Sequence, residues 1–302
     1  MGHEPFRFFR VRVVGIVDLT PSIRRMVFAG GDLDAFADPG RDQRIKLLLP
    51  AAEGGYEHLP SGPDWYREYR ALPERRRGAM RTYTTRAVTG PAGARRVVVD
   101  MIRHGPLGPA SAWCESARVG DEAVLLGPNA FFEGEPGGVD FVPPARTDAY
   151  LLGGDETAAP AIARILEELP AEARGIAVVE MPTEGDLDYL PGHPGIEVRA
   201  LARGSAPRGE GLVAGVECAA AELLPVGIPG EVEEIDIDSE ILWEVPRTAK
   251  GGAALKSTSL YAWLAAEASS VKAMRRHLVA DRGIDRRSVA FMGYWREGRS
   301  ED

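Results

Sequence analysis

The sequence predicts an α+β protein of two domains, in which an N-terminal six-stranded antiparallel β-barrel precedes a C-terminal α/β domain with a parallel sheet. Three observations support this fold class. The first half contains short strand-like runs separated by turn-forming residues, a Pro- and Gly-rich stretch follows at 134–144, and strands then alternate with helical patterns. We therefore predict a barrel domain at 1–133, a linker at 134–148 and an α/β domain at 149–302.

Composition indicates a globular protein and restricts its redox chemistry. The chain has 302 residues, of which 44% are hydrophobic and 27% charged. No apolar run approaches the roughly 18 residues that cross a bilayer, and the first residues lack the apolar core of a secretion signal, so we expect a cytoplasmic protein without a membrane partner. The two cysteines, Cys114 and Cys218, are too few for an iron–sulfur cluster. A redox function would therefore need an organic cofactor.

Turn residues divide the first half into strands with one helical insert. A long segment, Pro50–Met80, separates the third strand from the fourth, and we predict that it is a loop or lid. The six predicted strands are Arg7–Val17, Ser22–Ala29, Arg44–Leu49, Arg81–Val88, Arg96–His104 and Glu122–Leu126. Short strands in this number favour a small antiparallel barrel.

Charge is distributed unevenly along a chain whose net charge is -9. Residues 67–86 contain seven arginines and two glutamates, whereas residues 210–244 contain ten acids and no Lys or Arg. The negative net charge argues against a nucleic-acid partner. A run of basic residues usually forms a solvent-exposed face. This run leads into the strand 81–86, and its charge also suits an anionic ligand.

The stretch 81–86 combines an aromatic ring, hydroxyls and two guanidiniums within one short strand. Side chains alternate along a strand, so Arg81 and Tyr83 share a face. The Tyr83 ring can stack on an isoalloxazine, Arg81 can pair with a pyrophosphate, and the Thr84 hydroxyl can reach a ring nitrogen. The alternative is an edge strand with a solvated arginine at each end.

A second candidate feature lies between the fifth and sixth strands, in the stretch from His104 to Trp113. Glycines end a strand there, and Pro109 and Ser111 mark the start of a helix that we expect to reach Arg118. The free N–H groups at such a helix start form a seat for a phosphate. A capped surface helix is the alternative.

The second half begins with the apolar strand Tyr150–Leu152 and a turn at 153–157, followed by a helix that contains Ile162 and Ile165. The turn is not a Gly-x-Gly-x-x-Gly sequence, and its two acids would repel a phosphate. Further strands are predicted at Gly175–Met181, Ile196–Ala202, Leu260–Ala265 and Ser288–Trp295, and helices at Gly211–Ala221 and Ala268–Asp281. Alternating strands and helices predict nucleotide binding at the carboxyl ends of parallel strands.

Two motifs carry a resemblance to known proteins. Arg81-x-Tyr83-Thr84 and Gly108-x-x-Ser111 resemble the flavin signatures of the ferredoxin reductase-like superfamily. Read together with the rest of the chain, they are similar to the siderophore-interacting protein family, which comprises flavin-dependent ferric-siderophore reductases. The further segments that resemble this family are 154–158, Leu242–Pro246, Tyr261–Ala268, Met274–Leu278 and Gly293–Gly298, while 230–240 is the least matched.

The resemblance implies FAD as cofactor, NAD(P)H or ferredoxin as electron donor, and a ferric siderophore as substrate; we also expect a monomer. Because a flavin can divide an electron pair, we expect no catalytic acid–base residue, and the histidines show no spacing typical of metal ligands. The resemblance places the substrate against Lys46 and Arg296. The residues implied for cofactor binding are Arg81, Tyr83, Thr84, Arg86, Asp100, Ile102, His104, Gly105, Gly108, Ala110, Ser111, Asp155 and Thr157.

The sequence leaves the donor and the acceptor open. Glu180 ends a predicted strand where a carboxylate binds a ribose hydroxyl and favours NADH, whereas Arg199, Arg203 and Arg208 are candidate partners of the NADPH phosphate. Two further readings keep the flavin: a general flavin reductase that feeds another carrier, and a flavoprotein that binds ferric siderophore without turnover. The family's Gly-Pro-Arg-Gly is Gly-Pro-Asn-Ala here, at 127–130, so one basic group of the family is missing.

Overall fold

The computed structural model describes residues 3–105, 108–224, 227, 235–237 and 241–299. Pro106 and Leu107 of the predicted phosphate seat lie outside the described residues, as does most of the poorly matched segment 230–240. The described chain forms two domains, each built on one sheet, as the sequence predicts. No helix in the described ranges has both the length and the apolar character needed to cross a membrane.

The N-terminal domain is a curled antiparallel sheet whose inner face holds an apolar core. Phe9, Phe28, Phe36 and Leu125 are fully buried in that core. The strand order is β4-β3-β7-β1-β2-β6-β5. The strands are β1 (Phe6–Asp18), β2 (Ile23–Ala29), β3 (Arg44–Leu48), β4 (Met80–Thr84), β5 (Ala87–Thr89), β6 (Arg96–Ile102) and β7 (Glu122–Pro128).

All six predicted strand regions form, but the fourth is divided into two strands by a bend at Thr85 and Arg86. The Thr85 N–H donates to the Gln43 carbonyl beside β3, and the Arg86 N–H donates to the Val98 carbonyl on β6. The chain therefore leaves one edge of the sheet at Thr85 and joins the opposite edge one residue later. This bend is why the sheet has seven strands and curls into a barrel-like shape.

The predicted loop or lid at Pro50–Met80 contains a short helix, α1 (Trp65–Ala71), and packs on the outside of the sheet. Tyr69 is buried there against Leu48 and Val124. The Tyr56 hydroxyl donates to the Leu48 carbonyl at 3.0 Å. Aromatic and apolar side chains therefore fix the segment against the sheet.

The C-terminal domain has a six-stranded sheet in the order β10-β9-β8-β12-β13-β11, with apolar cores on both faces. Neighbouring strands are parallel except at one edge, where the short strand β11 runs antiparallel to β13. The elements are β8 (Arg146–Asp155), α3 (Ala159–Glu168), β9 (Gly175–Met181), β10 (Ile196–Ala202), α4 (Glu210–Leu223), β11 (Trp243–Glu244), β12 (Ser257–Glu267), α5 (Ala268–Arg275), a π-helical turn (Arg276–Asp281) and β13 (Val289–Trp295). Strand β8 starts within the range predicted as linker.

Polar groups join the two domains. The buried Asp42 carboxylate accepts hydrogen bonds from the backbone N–H groups of Asp140 and Phe141 and from Trp263 Nε1 on β12, at 3.0 to 3.1 Å. Burial and the neighbouring Asp140 raise the pKa of Asp42 to about 6. Elsewhere at the contact between the domains, Arg86 of the bend between β4 and β5 forms a two-point ion pair with Glu167 of α3.

We predict that Asp42→Ala lowers the free energy of unfolding by on the order of 3 kcal/mol, because three buried N–H donors lose their acceptor. Urea unfolding followed by tryptophan fluorescence measures this loss. Arg287→Ala, which removes an exposed ion pair with Asp285, is the control and should cost less than about 1 kcal/mol. Equal losses in the two variants would contradict the proposed role of Asp42.

Candidate functional site

The carboxyl ends of the parallel strands gather polar and charged side chains at one edge of the C-terminal sheet. Asp155 ends β8, Glu180 lies next to the last residue of β9, Glu267 ends β12 and Trp295 ends β13. This is the edge at which parallel α/β sheets bind their ligands. The three carboxylates are buried, so the partners of each determine what this edge can bind.

Asp155 ties together the ends of three strands. Its carboxylate accepts from Trp295 Nε1 at 2.8 Å, from the Glu267 N–H at 2.9 Å, and from the N–H and hydroxyl of Thr157. Burial and then the charge of Glu156 raise the pKa of Asp155 to about 6, and the bonds from Thr157 and Trp295 oppose that rise. The structure therefore brings the predicted residues Asp155 and Thr157 together, and it satisfies their side chains within the protein.

Glu156 is buried against two arginines. Arg203 contacts both of its oxygens at 3.0 and 3.2 Å, and Arg208 contacts one of them at 2.5 Å. Burial by itself would raise the pKa of Glu156, but the hydrogen bonds and charges of the two guanidiniums lower it. Arg208 also lies 4.8 Å from the centre of the Trp295 ring. We call Glu156, Arg203 and Arg208 the edge ion cluster.

Glu180 binds the start of helix α4. Its carboxylate accepts from the N–H groups of Gly209 and Leu212 at 2.9 and 3.2 Å, and Arg203 lies 3.2 Å from it. Gly209 has a φ of 78°, a backbone conformation that glycine adopts without strain. The sequence suggests the Glu180 carboxylate as a partner of a ribose hydroxyl. In this structure its oxygens accept hydrogen bonds from the start of α4. Of the three arginines proposed for NADPH, Arg199 lies apart, paired with exposed Glu197 and Glu222.

The glycines before Asp155 have a packing role. Both lie within β8, so the turn predicted at 153–157 starts only after Asp155. A Cβ atom at Gly153 would lie 2.6 Å from the Leu264 side chain, and one at Gly154 would lie 2.8 Å from the Ala265 carbonyl. Because both contacts are with β12, these glycines allow the two central strands to pack closely.

On the barrel side, Arg81 and Tyr83 share a face of β4. They lie opposite Leu47 and Ile45, both of which point into the barrel core. Burial and then the nearby Cys114 of helix α2 (Pro109–Ser116) raise the pKa of Tyr83. Tyr83 is thus close to the second predicted motif, and its ring packs against the barrel core. Thr84, the next residue, is buried.

Gly105 and Gly108 precede α2 and have an open backbone. Their φ values are 71° and 98°, and a Cβ atom at either would meet no atom of the described residues within 4 Å. Gly108 precedes the helix without a side-chain cap. Ala110 is buried, Ser111 is half-buried, and their N–H groups belong to the first turn of the helix, which is the geometry that favours an anion.

His104 precedes Gly105 and lies near the C-terminal domain. Burial lowers the pKa of His104, Glu156 raises it, and Arg208 and Arg203 lower it further. The imidazole therefore lies within electrostatic reach of the edge ion cluster. We call the region between His104 and the edge ion cluster, where the two domains meet, the cleft.

Arg86, Asp100 and Ile102 are part of the contact between the domains. Asp100 is buried, accepts two bonds from Arg25 at 2.7 and 2.8 Å, and accepts a bond from the Tyr189 hydroxyl at 2.6 Å. Ile102 packs in the apolar cluster of the C-terminal domain. The sequence interpretation assigned these residues to a cofactor, and it missed Arg25 and Tyr189 because nothing local identifies partners 75 and 89 residues from Asp100.

The two residues predicted to bind substrate lie on different domains. Lys46 on β3 lies opposite Thr82 on β4, and its Nζ donates to the Thr82 hydroxyl at 2.6 Å. This contact lies on the face of the sheet away from Tyr83. Arg296 follows β13 and donates to the Ile237 carbonyl at 2.8 Å. Nothing in these contacts tests their predicted role.

Comparison with known proteins gives full-length matches. A siderophore-interacting FAD-binding domain matches residues 12–132, and the siderophore-interacting protein family matches residues 147–298. An uncharacterized protein of Mycobacterium tuberculosis is 30% identical over the whole chain and 94% of its own length. Ferric vibriobactin reductase ViuB of Vibrio cholerae is 26% identical over 94% of this chain and 88% of its own.

Solved structures agree with these matches. A siderophore utilization protein from T. fusca has a TM-score of 0.72 and 27% identity, covering 100% of this chain and 97% of its own. The siderophore-interacting protein SipS from Aeromonas hydrophila has a TM-score of 0.66 and 26% identity, covering 99% and 94%. The ferredoxin reductase of carbazole 1,9a-dioxygenase, with a TM-score of 0.59 and 18% identity over 98% and 71%, shares the fold.

We predict that Trp295→Phe raises the pKa of Asp155 above about 6, because the indole N–H stabilises the ionised carboxylate. A carboxyl group with a raised folded-state pKa stabilises the fold when protonated and loses that contribution as pH rises through the folded-state value. The variant should therefore lose more stability at neutral pH than in acid well below pH 6. Melting temperatures across this range test the prediction.

Tyr294→Phe is the control for Trp295→Phe, since the Tyr294 hydroxyl makes no hydrogen bond within the described part of the chain. Its melting temperature should track the unmodified protein at every pH. A loss in Trp295→Phe that does not depend on pH would show that the indole acts by packing alone.

Proposed function

The chain belongs to the siderophore-interacting protein family, and we propose on this premise that it is an FAD-dependent reductase that converts the iron of a ferric siderophore from Fe(III) to Fe(II). One observation carries the proposal. Tyr83 packs against the barrel core that contains Ala110 and Cys114 of α2, and His104, which precedes α2, lies near the edge ion cluster of the C-terminal domain. A flavin held there would have a donor site on one domain and open space for an acceptor.

The residues of this cleft fit FAD. Among the described residues, no side chain caps the first-turn N–H groups of α2, and the positive φ values of Gly105 and Gly108 would let a pyrophosphate approach the backbone. Arg81 would supply a planar cation for the same group, and Tyr83 an aromatic surface. Bound FAD would supply the redox chemistry, since a flavin takes up two electrons and passes them on singly.

The protein's own groups would position the substrate and balance its charge. Lys46 and Arg44 share the outer face of β3, and the Arg44 guanidinium lies 4.5 Å from the centre of the Trp243 ring of the other domain. Trp243 in turn stacks on Tyr294 at 5.6 Å. A basic and aromatic surface thus crosses the domain boundary, which suits a bulky anionic iron chelate. No proton transfer is needed, because reduction weakens the hold of hard oxygen ligands on the iron.

We predict that the protein, loaded with FAD and supplied anaerobically with NAD(P)H or reduced ferredoxin, releases Fe(II) from ferric siderophores. Visible absorbance follows flavin reduction, and a coloured Fe(II) chelator follows the product. Flavin reduction without Fe(II) would instead favour a general flavin reductase. Absence of both signals would favour a protein that binds ferric siderophore without turnover.

Within this assay, Lys46→Ala should raise KM for the ferric siderophore about 10-fold, the equivalent of one charged contact of about 1.4 kcal/mol. The kcat should change less, because Lys46 would bind the chelate and not the reacting flavin. Arg287→Ala, at the opposite end of β13, is the matched loss of an exposed cation and should leave KM unchanged.

Donor preference should depend on the edge ion cluster. Glu156 offsets the charges of Arg203 and Arg208, so Glu156→Gln would remove that negative charge from both guanidiniums, while Arg203 would keep its contact with Glu180. We predict that this variant lowers KM for NADPH about 10-fold relative to KM for NADH. Steady-state kinetics with the two nucleotides measure the ratio, and a melting curve confirms that the variant is folded.

Glu197→Gln is the matched control, because Glu197 pairs with Arg199 on an exposed surface away from the cleft. It should leave both KM values unchanged. An unchanged nucleotide ratio in folded Glu156→Gln would show that Arg203 and Arg208 do not meet the donor.

A further inference from the structure

A pair of buried carboxylates lies where the barrel meets the C-terminal domain. Asp42 precedes β3 of the barrel, and Asp140 lies in the segment before β8; their exposed fractions are 0% and 3%. The Asp42 carboxylate accepts the backbone N–H of Asp140, so the two residues belong to one cluster. Two negative charges that share a site away from water repel each other, and such a site favours the uptake of a proton.

The cations of this cluster bind only one carboxylate of the pair. Arg44 of β3 forms an ion pair with Asp140 Oδ2 at 2.9 Å, and Arg247, which follows β11, forms an ion pair with Asp140 Oδ1. Within the described ranges no Lys or Arg forms an ion pair with Asp42, whose partners are uncharged N–H groups of the linker and β12. Asp42 is therefore the carboxylate of the pair that gains more from a proton.

Other buried carboxylates at the contact between the domains have partners that stabilise the ionised form. Asp100 binds the Arg25 guanidinium at two points. Asp186 of the C-terminal domain accepts the N–H and the hydroxyl of Ser22 on the barrel at 2.8 and 2.9 Å. Burial would raise the pKa of Asp186, but hydrogen bonds from hydroxyl and backbone groups lower it. Asp42 differs from both, because burial and the neighbouring carboxylate raise its pKa to about 6.

The other charged or titratable groups that face the carboxylate pair keep their charge between pH 5 and pH 7. Arg44 and Arg247 stay cationic at any such pH. Tyr261 of β12 and Tyr294 of β13 lie within electrostatic reach of Asp42, and burial raises the pKa of each. Because both tyrosines are neutral in this range, a change of charge in the cluster must occur on the carboxylate pair.

We propose that Asp42 and Asp140 form a proton-binding switch that strengthens the contact between the two domains in mild acid. When the domains separate, Asp42 enters water, whereas contact between the domains buries it beside Asp140. Because the buried state has the higher pKa, forming the contact takes up a proton. The contact therefore gains stability as pH falls through about 6 and loses that gain as pH rises. The same contact brings Arg44 of the barrel against Trp243 of the C-terminal domain, so the switch also acts on the surface proposed above for a ferric chelate.

Hydrogen exchange of the Phe141 amide in the full-length protein tests the switch, because this N–H can exchange only when its bond to Asp42 opens. The protection factor, corrected for the intrinsic pH dependence of exchange, should rise about 10-fold from pH 7 to pH 5. Asp42→Asn keeps an acceptor oxygen but cannot ionise, so its protection factor should change less than about 2-fold. NMR measures both values, and a melting curve shows that the variant is folded.

The Ser22 amide is the internal control, because its acceptor Asp186 has a lowered pKa and stays ionised above pH 5. Its protection factor should change less than about 2-fold over the same range. Asp186→Asn is the matched variant, since it neutralises another buried carboxylate at the contact between the domains. It should lower the protection of Ser22 at every pH and leave the rise at Phe141 in place.

Asp140→Asn keeps the test decisive if Asp42→Asn does not fold. Loss of the neighbouring negative charge lowers the pKa of Asp42, so the rise at Phe141 should move to lower pH. Equal protection of Phe141 at pH 5 and pH 7 in the unmodified protein would overturn the proposal. So would the same rise in folded Asp42→Asn, or a rise at an unchanged pH in Asp140→Asn. These measurements involve no chelate and no electron donor, so their failure would leave the proposed function standing.

Discussion

The structure depends on the bend at Thr85 and Arg86. The two N–H groups of this bend join opposite edges of the curled sheet, through the carbonyls of Gln43 and Val98. The Thr85 carbonyl accepts from Arg164 of α3, and Arg86 forms its ion pair with Glu167 of the same helix. One short stretch therefore curls the barrel, follows directly on Tyr83 and Thr84, and contacts helix α3 of the second domain.

Much of the fold follows from local patterns in the sequence. The strands Gly175–Met181 and Ile196–Ala202 have the predicted bounds, because runs of β-branched and apolar residues between turns are a strong local signal. The bend at Thr85 carries no such signal, since Thr and Arg are ordinary strand residues. Its position is set by hydrogen bonds to two distant strands, and a prediction from neighbouring residues alone does not include those bonds.

The candidate site likewise has features that the local sequence predicts and features that depend on distant residues. The backbone features were predictable, because glycines before a proline-started helix indicate an open phosphate seat whatever the tertiary context. The side chains of Arg86, Asp100 and Asp155 were assigned to a ligand by motif, and the structure gives each of them a protein partner. Charged groups that are buried need such partners, and the long-range pairing that supplies them is not visible in the local sequence.

The charged edge of the C-terminal sheet determines which cations a nucleotide donor would meet under the proposed function. Each guanidinium of the edge ion cluster already binds Glu156, and Arg203 also contacts Glu180, which holds the start of α4. A nucleotide phosphate that approaches this edge must compete with Glu156 for the same cations. Because Glu156 is buried and cannot move into water without leaving the cluster, binding of the donor and the ionic structure of the edge are coupled. Under the proposed function, donor choice is thus an equilibrium between an internal carboxylate and an external phosphate.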